Sequence, residues 1–301
     1  MSTKPTGRTW TAVAPSAFAD TLRDCLLEAR PVVQLIFFVR LIAGAALAAP
    51  WLHGVAPETL LPGILSWGCA VVFVYLFNGS ADIVEDQASE KNRPIAQGHL
   101  PQTVALKWCR GFATTAVLSG LWTGPLFTLL VVAMLALGYL YSAPGFGFKR
   151  HYLGAAAVAT LGGALTFLAG FLLGGGELPN PSLLLLTAAM SAWMGCVGSV
   201  AKDFSDVHGD KLAGRRTLVV IFGKRAASVV VAACALCVAT SFAIVAWNWV
   251  PAMRVSATVM LAGSFCVTFL ALVHMRGAHP RNPYRAFMAT QYAATLSVLP
   301  V

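Results

Sequence analysis

Nine apolar runs of about 20 residues carry almost none of this chain's charge, and such runs are stable only against the hydrocarbon of a bilayer. They fall at roughly 31–50, 61–79, 104–122, 125–142, 153–174, 182–200, 226–248, 255–275 and 284–301. Lipid offers no partner to a backbone N–H or C=O, so each run must satisfy its own hydrogen bonds by folding as a helix. The expected fold class is therefore all-α, a polytopic bundle of about nine transmembrane helices. With 57% hydrophobic and 11% charged residues and a mean hydropathy of +0.72, a soluble domain is excluded. The last run carries Arg285 and Gln291 and ends at Val301 without a polar tail, which predicts a short or tilted span. Residues 1–30 read as a polar segment, with 1–15 mobile and 16–30 an interfacial helix. Residues 31–301 read as one membrane domain of two helix bundles, roughly 31–150 and 151–301.

Basic residues orient such a bundle, because Lys and Arg accumulate on the cytoplasmic side. Here they gather in the N-terminal segment and in or beside the loops after spans two, four, six and eight. The opposite loops, 51–60, 123–124, 175–181 and 249–254, hold only Glu58, Glu177 and Arg254 as charges. The N-terminus is thus expected in the cytoplasm. The net charge of +9 follows from this bias and from anionic headgroups, and calls for no nucleic acid. Residues 1–25 lack the apolar core and cleavage site of a signal peptide. Cys234 and Cys237 have the spacing of a metal site, but with no His or further Cys nearby they read as packing residues.

Against this background the acidic residues stand out. Asn78, Asp82 and Asp86 are four apart, and Asp203, Asp206 and Asp210 are three and four apart, so in an unbroken helix each set shares one face. Like charges so spaced repel, which predicts a compensating cation. Carboxylate clusters are the usual ligands of Mg²⁺, which shares its remaining positions with water and substrate phosphates. The sets are 124 residues apart from Asp82 to Asp206, and each runs into a basic loop containing Lys91-Asn92-Arg93-Pro94 or Lys211 and Arg215-Arg216. Two bundles related by a pseudo-twofold axis would bring the sets face to face at the cytoplasmic mouth of one cavity. His208, two residues from each neighbouring Asp, points away from their face.

These stretches carry a family resemblance. Asn78-Gly-Ser-Ala-Asp82-Ile-Val-Glu-Asp86 followed by Asn92-Arg93-Pro94-Ile95-Ala96-Gln97-Gly98 resembles the first signature of the UbiA superfamily of intramembrane prenyltransferases. Asp203-Phe-Ser-Asp206-Val-His-Gly-Asp210, with Gly214, Thr217 and Phe222-Gly223 after it, resembles the second. Tyr141-Ser142-Ala143-Pro144 leading to Lys149-Arg150 is similar to the segment after the fourth helix. The likeness covers roughly residues 30–225, departing at Gly79, where the family usually has Asp.

The resemblance implies Mg²⁺-dependent ionisation of a prenyl diphosphate and capture of the allylic cation by a nearby acceptor. It implies that Asp82, Asp86, Asp206 and Asp210 are catalytic metal ligands, joined by Asn78 and Asp203. Lys149, Arg150, Arg93 and Lys202 would neutralise the departing diphosphate. Tyr75, Tyr139 and Tyr141 would offer ring faces to the cation. Arg40, near the middle of the first span, is a substrate-binding candidate, since a charge there needs a polar cavity or a partner; the competing reading has it snorkelling to the cytoplasm. Gln34 is compatible with lining the same cavity. A terpene cyclase is the alternative activity, because the acidic sets do not distinguish intermolecular from intramolecular capture. A transporter would spread its ionisable groups along a path, which this chain does not. The expected partners are a prenyl diphosphate, an aromatic or other small acceptor and the lipid bilayer, with a monomer as the default state.

Overall fold

The computed structural model describes residues 15–49 and 55–299. The expected mobility of residues 1–15 falls almost wholly outside these residues. The described part is helical, and its only β pairing is an isolated bridge between His151 and Arg216. Residues 16–30, expected as one interfacial helix, form α1 (Pro15–Glu28).

A helix runs over each of the nine apolar runs. In order they are α2 (Pro31–Ala48), α3 (Pro57–Ala81, continued after a bend by α4, Ile83–Ala88), α5 (Gln102–Thr123), α6 (Pro125–Ser142), α7 (Tyr152–Leu173) and α8 (Pro181–Ala192). The chain continues through a π-helical turn, Trp193–Gly198, into α9 (Ser199–Ala201), a 3₁₀ turn and α10 (Val207–Leu212). Last come α11 (Leu218–Asn248), α12 (Arg254–Met275) and α13 (Asn282–Leu296). Among the described residues, seven helical stretches are long and apolar enough to cross a membrane. The other two are α5, whose first turns carry Lys107 and Arg110, and α13, which has only 15 residues, as its polar content foretold.

Local chemistry sets the helix starts. Pro31, Pro57, Pro125 and Pro181 open four of the helices, where a missing N–H costs nothing. Asn180 caps α8 by accepting from Leu183 N–H at 2.8 Å, and its amide donates to Leu47 O at 2.9 Å, fastening α8 to the end of α2. Gly223, at φ 82°, separates residues 218–222 from the long part of α11, which holds the run expected over 226–248.

The helices α2 and α7 pack closely on each other. Helices in lipid associate through close packing at small residues rather than through a hydrophobic drive. A Cβ on Gly44 would lie 2.3 Å from Phe167 O, and one on Gly170 would lie 2.0 Å from Leu41 O. The contact is thus reciprocal. Larger side chains fill the flanks, with Ile36, Leu41, Trp67 and Phe127 on one side and Phe167, Leu186, Trp193 and Phe242 on the other, all buried.

Candidate active site

Both acidic sets sit at bends rather than on unbroken helices, which corrects the expected ladders. Asp82 joins α3 to α4 with φ −105° and ψ 17°, and Asp206 leads into α10 with φ −109° and ψ 5°. Each bend is followed by the same local frame. Asp86 N–H donates to Asp82 O at 2.8 Å, and Asp210 N–H to Asp206 O at 2.9 Å. Glu90 (φ 47°) and Gly214 (φ 65°) then turn the chain through the left-handed region. Lys91 N–H closes onto Asp86 O at 2.9 Å, and Arg215 N–H onto Asp210 O at 2.8 Å. The physical reason for the break is visible in the next contacts: the bends let the short helices α4 and α10 pack on each other, with Gly209 at the crossing, where a Cβ would meet Glu85 O at 2.8 Å.

The side chains interlock across this crossing. Lys91 Nζ lies 3.2 Å from Asp86 Oδ1 and 3.0 Å from Asp206 Oδ2. Arg215 lies 3.4 Å from Asp210 Oδ1 and 2.5 Å from Asp82 Oδ1, and it also reaches Glu85 Oε1 at 3.2 Å. Each basic residue therefore holds one carboxylate of its own set and one of the other. The bridge of His151 to Arg216, with Arg216 N–H donating to Arg150 O at 2.6 Å, sets the 143–151 loop beside the 213–217 loop. Lys149 consequently joins Arg215 on Asp82 Oδ1.

A cavity of about 170 Å³ opens beneath, lined at its polar end by Arg30, Asn78, Asp82, Lys91, Lys202, Asp203, Asp206 and Arg215. Its apolar end is formed by Ile36, Phe37, Val71, Met134, Met194 and Phe287. Asp86 and Asp210 stand one step outside this wall, behind Lys91 and Arg215. Asn78 donates from its amide to Ser142 Oγ at 3.0 Å, and Lys202 Nζ bonds Tyr141 Oη at 3.0 Å. Tyr75 and Tyr141 line the cavity as expected, whereas Tyr139 is half exposed and stacks on Phe77.

Four other expected positions differ. Arg93 is buried between Asp86 and Glu28 and does not line the cavity; Glu28, brought by α1, also accepts from Ile95 N–H at 3.0 Å. Arg150 faces a second cavity, of about 430 Å³, which it lines with Lys149, Glu85, Gln102 and Arg215. Gln34 does not line the chamber; its amide donates to Ala29 O at 2.8 Å and to Val71 O at 3.4 Å. Arg40 does not snorkel: it is fully buried in α2, donating to Gln291 Oε1 at 2.5 Å and to Met194 Sδ at 2.7 Å. It stands behind the wall, and Gln291 and Met194 carry its influence to the surface of the chamber.

Lys91, Arg215, Arg30 and Gln291 are the residues that sequence reasoning passed over. Lys91 and Arg215 were findable, because each stands five residues after the last Asp of its set. Arg30 faces the same polar end from a left-handed turn (φ 58°) ahead of Pro31, a geometry that no spacing announces.

The electrostatics divide each set into an inner and an outer carboxyl. Burial opposes the charged form of Asp82, but Arg215 and Lys149 outweigh it and hold the carboxyl below the usual range. Asp206 is held low in the same way, burial being outweighed by Lys91 and the Ser205 hydroxyl. For the outer pair burial wins: Asp86 is pushed up to about 6, and Asp210 is also raised.

The donor set suits a hard divalent cation. It consists of oxygens alone, the two inner carboxyls are ionised at neutral pH, and Asp210 Oδ2 is buried with no hydrogen-bond partner. Among the described residues, no three acidic, His or Cys side chains already converge on a point, because Lys91 and Arg215 stand between them.

The model of the UbiA prenyltransferase family matches residues 37–293. A digeranylgeranylglyceryl phosphate synthase of Methanoregula boonei is 30% identical over 208 residues, 67% of this chain and 70% of the relative. The diterpene cyclase eriG of Hericium erinaceus is 26% identical over 271 residues, 84% of this chain and 80% of the relative. The fold is similar to that of a UbiA homolog from Archaeoglobus fulgidus bound to DMAPP and Mg²⁺, with a TM-score of 0.68 at 20% identity, covering 92% of this chain and 99% of the other.

Proposed function

Since this chain belongs to the UbiA prenyltransferase family, we propose that it is an intramembrane transferase that ionises a prenyl diphosphate with Mg²⁺ and passes the prenyl group to a small acceptor. The observation that carries this reading is that Asp82 and Asp206, from sets far apart in sequence, face one polar-to-apolar chamber. A relative is named a digeranylgeranylglyceryl phosphate synthase, and a structural neighbour is described bound to DMAPP and Mg²⁺.

In this reading, Asp82, Asp86, Asp206 and Asp210, with Asn78 and Asp203, would hold the metal ions. Bound there, Mg²⁺ would act as a Lewis acid on the diphosphate oxygens and lower the barrier to C–O cleavage. The chain's own residues do the rest. Lys202 and Arg30, which line the chamber, and Lys149, beside Asp82, neutralise charge on the leaving group. Tyr75 and Tyr141 offer ring faces to the allylic cation, and the apolar end keeps water from it. The basic loops beside this end argue that it opens to the cytoplasm. The repeated frames at Asp82 and Asp206 support a domain of two related halves.

Gln291 favours transfer over cyclisation. Arg40 fixes its carbonyl oxygen, so its amide N–H group, which reaches Met288 Sδ at 2.9 Å, is presented at the chamber wall as a donor for an acceptor oxygen. The cyclase reading keeps one specific support, the eriG relative that matches 84% of this chain. Incubation of the purified protein with Mg²⁺ and geranyl, farnesyl or geranylgeranyl diphosphate, without acceptor, separates the two. A transferase leaves the diphosphate intact until an aromatic or other nucleophilic acceptor is added; cyclic hydrocarbon products would overturn the proposal.

A further inference from the structure

We propose that Lys91 and Arg215 are an equivalent pair of exchange cations that make metal loading depend on the diphosphate, an inference that rests on the function proposed above. Each is tied to one carboxylate from each acidic set, Lys91 to Asp86 and Asp206 and Arg215 to Asp210 and Asp82, with Glu85 as a further partner of Arg215. They occupy the same register, five residues after the last Asp, behind a left-handed residue and a matching backbone hydrogen bond. The oxygens they hold, Asp82 Oδ1 and Asp206 Oδ2, belong to two of the carboxylates that the proposed function gives to the metal ions.

A Mg²⁺ ion sits about 2.1 Å from its oxygen ligands. Lys91 Nζ already lies 3.0 Å from Asp206 Oδ2. A metal ion on the same carboxylate places two like charges side by side, and their repulsion disfavours keeping the ammonium in that contact. A metal ion therefore displaces these contacts, and the displaced ammonium and guanidinium need a new anion. Both side chains line the chamber's polar end, so a diphosphate bound there is within a rotation of the side chain. Arg215 suits the task through its planar fork, and Lys91, with 20% of its side chain exposed, through its flexible stem. No covalent bond changes in this step; carboxylate partners are exchanged for phosphate oxygens.

The test is Mn²⁺ binding to purified full-length protein in detergent, followed by loss of the free-ion EPR signal, with and without inorganic diphosphate. The wild type is expected to bind Mn²⁺ weakly alone and at least about tenfold more tightly with diphosphate, since a cation this close biases a carboxylate by roughly one to three decades. Lys91→Gln and Arg215→Gln are expected to bind Mn²⁺ alone more tightly than wild type and to lose the enhancement, while Lys91→Arg and Arg215→Lys keep it. A merely structural role would weaken Mn²⁺ binding in the Gln variants, and that result overturns the proposal, as does an unchanged enhancement. A wild type that binds no Mn²⁺ even with diphosphate would overturn the functional reading as well, whereas tight binding without the anion would overturn the exchange alone.

Discussion

Gly209→Ala is the substitution by which the crossing of the two acidic frames can be weighed. The new Cβ would stand 2.3 Å from Ser89 Oγ and 2.8 Å from Glu85 O. The hydroxyl can rotate away; the carbonyl is fixed in the backbone at α4. A relaxed C···O contact needs about 3.3 Å, so α4 and α10 must separate by about half an ångström. Overpacking of this kind costs about 1–3 kcal/mol. That strain falls where Asp82 and Asp86 meet Asp206 and Asp210, and ions bridging both sets must draw the helices together again. The Mg²⁺ concentration for half-maximal prenyl transfer is expected to rise by about five- to 150-fold, the equivalent of 1–3 kcal/mol. Rate measured against Mg²⁺ at saturating prenyl diphosphate reads this directly. Gly111→Ala, whose Cβ meets nothing within 4 Å, is the control and should leave the requirement unchanged. A Gly209→Ala enzyme with the wild-type Mg²⁺ dependence would refute the claim that ions span this crossing.

Further outcomes are expected of the same architecture. Asp206→Asn should abolish turnover in a folded protein, checked by product formation beside a thermal melt, and full activity would remove Asp206 from the metal site. EDTA should silence the enzyme, with recovery on return of Mg²⁺. Arg40→Met should leave thermal stability unchanged or raise it, because Arg40 is buried without a carboxylate partner, while raising KM for the acceptor through the freed Gln291. Burial raises the Glu28 carboxyl, with Ile95 N–H and Arg30 opposing, so the folded state holds this proton more tightly than the unfolded chain does. The stability it adds is full below the ordinary Glu range and is lost as pH rises through the folded value; Glu28→Gln should flatten that part of the melting temperature against pH.

What was legible in the sequence was whatever the chain repeats or bilayer thickness dictates. The apolar runs gave the helices, α13 included, whose polar content foretold its shortness. Spacing within each acidic set brought Asp82 and Asp206 to notice, but a spacing argument assumes a continuous helix, and the bends depend on how α4 and α10 meet. Arg93 and Arg150 were misplaced for a related reason: Arg93 is claimed by Glu28 from α1, and Arg150 is turned to the second cavity by the pairing of its loop with Arg216. Contacts between distant segments leave no local trace. Arg215 was hidden among basic residues whose common explanation is topology.

The meeting of Gly44 with Phe167 and of Gly170 with Leu41 has the form of an isologous contact, in which one patch faces its own counterpart about a twofold axis. Each of α2 and α7 thus carries both a notch and the backbone that fills the other's. Filling one notch with a methyl group would push the facing backbone away and strain the other contact with it.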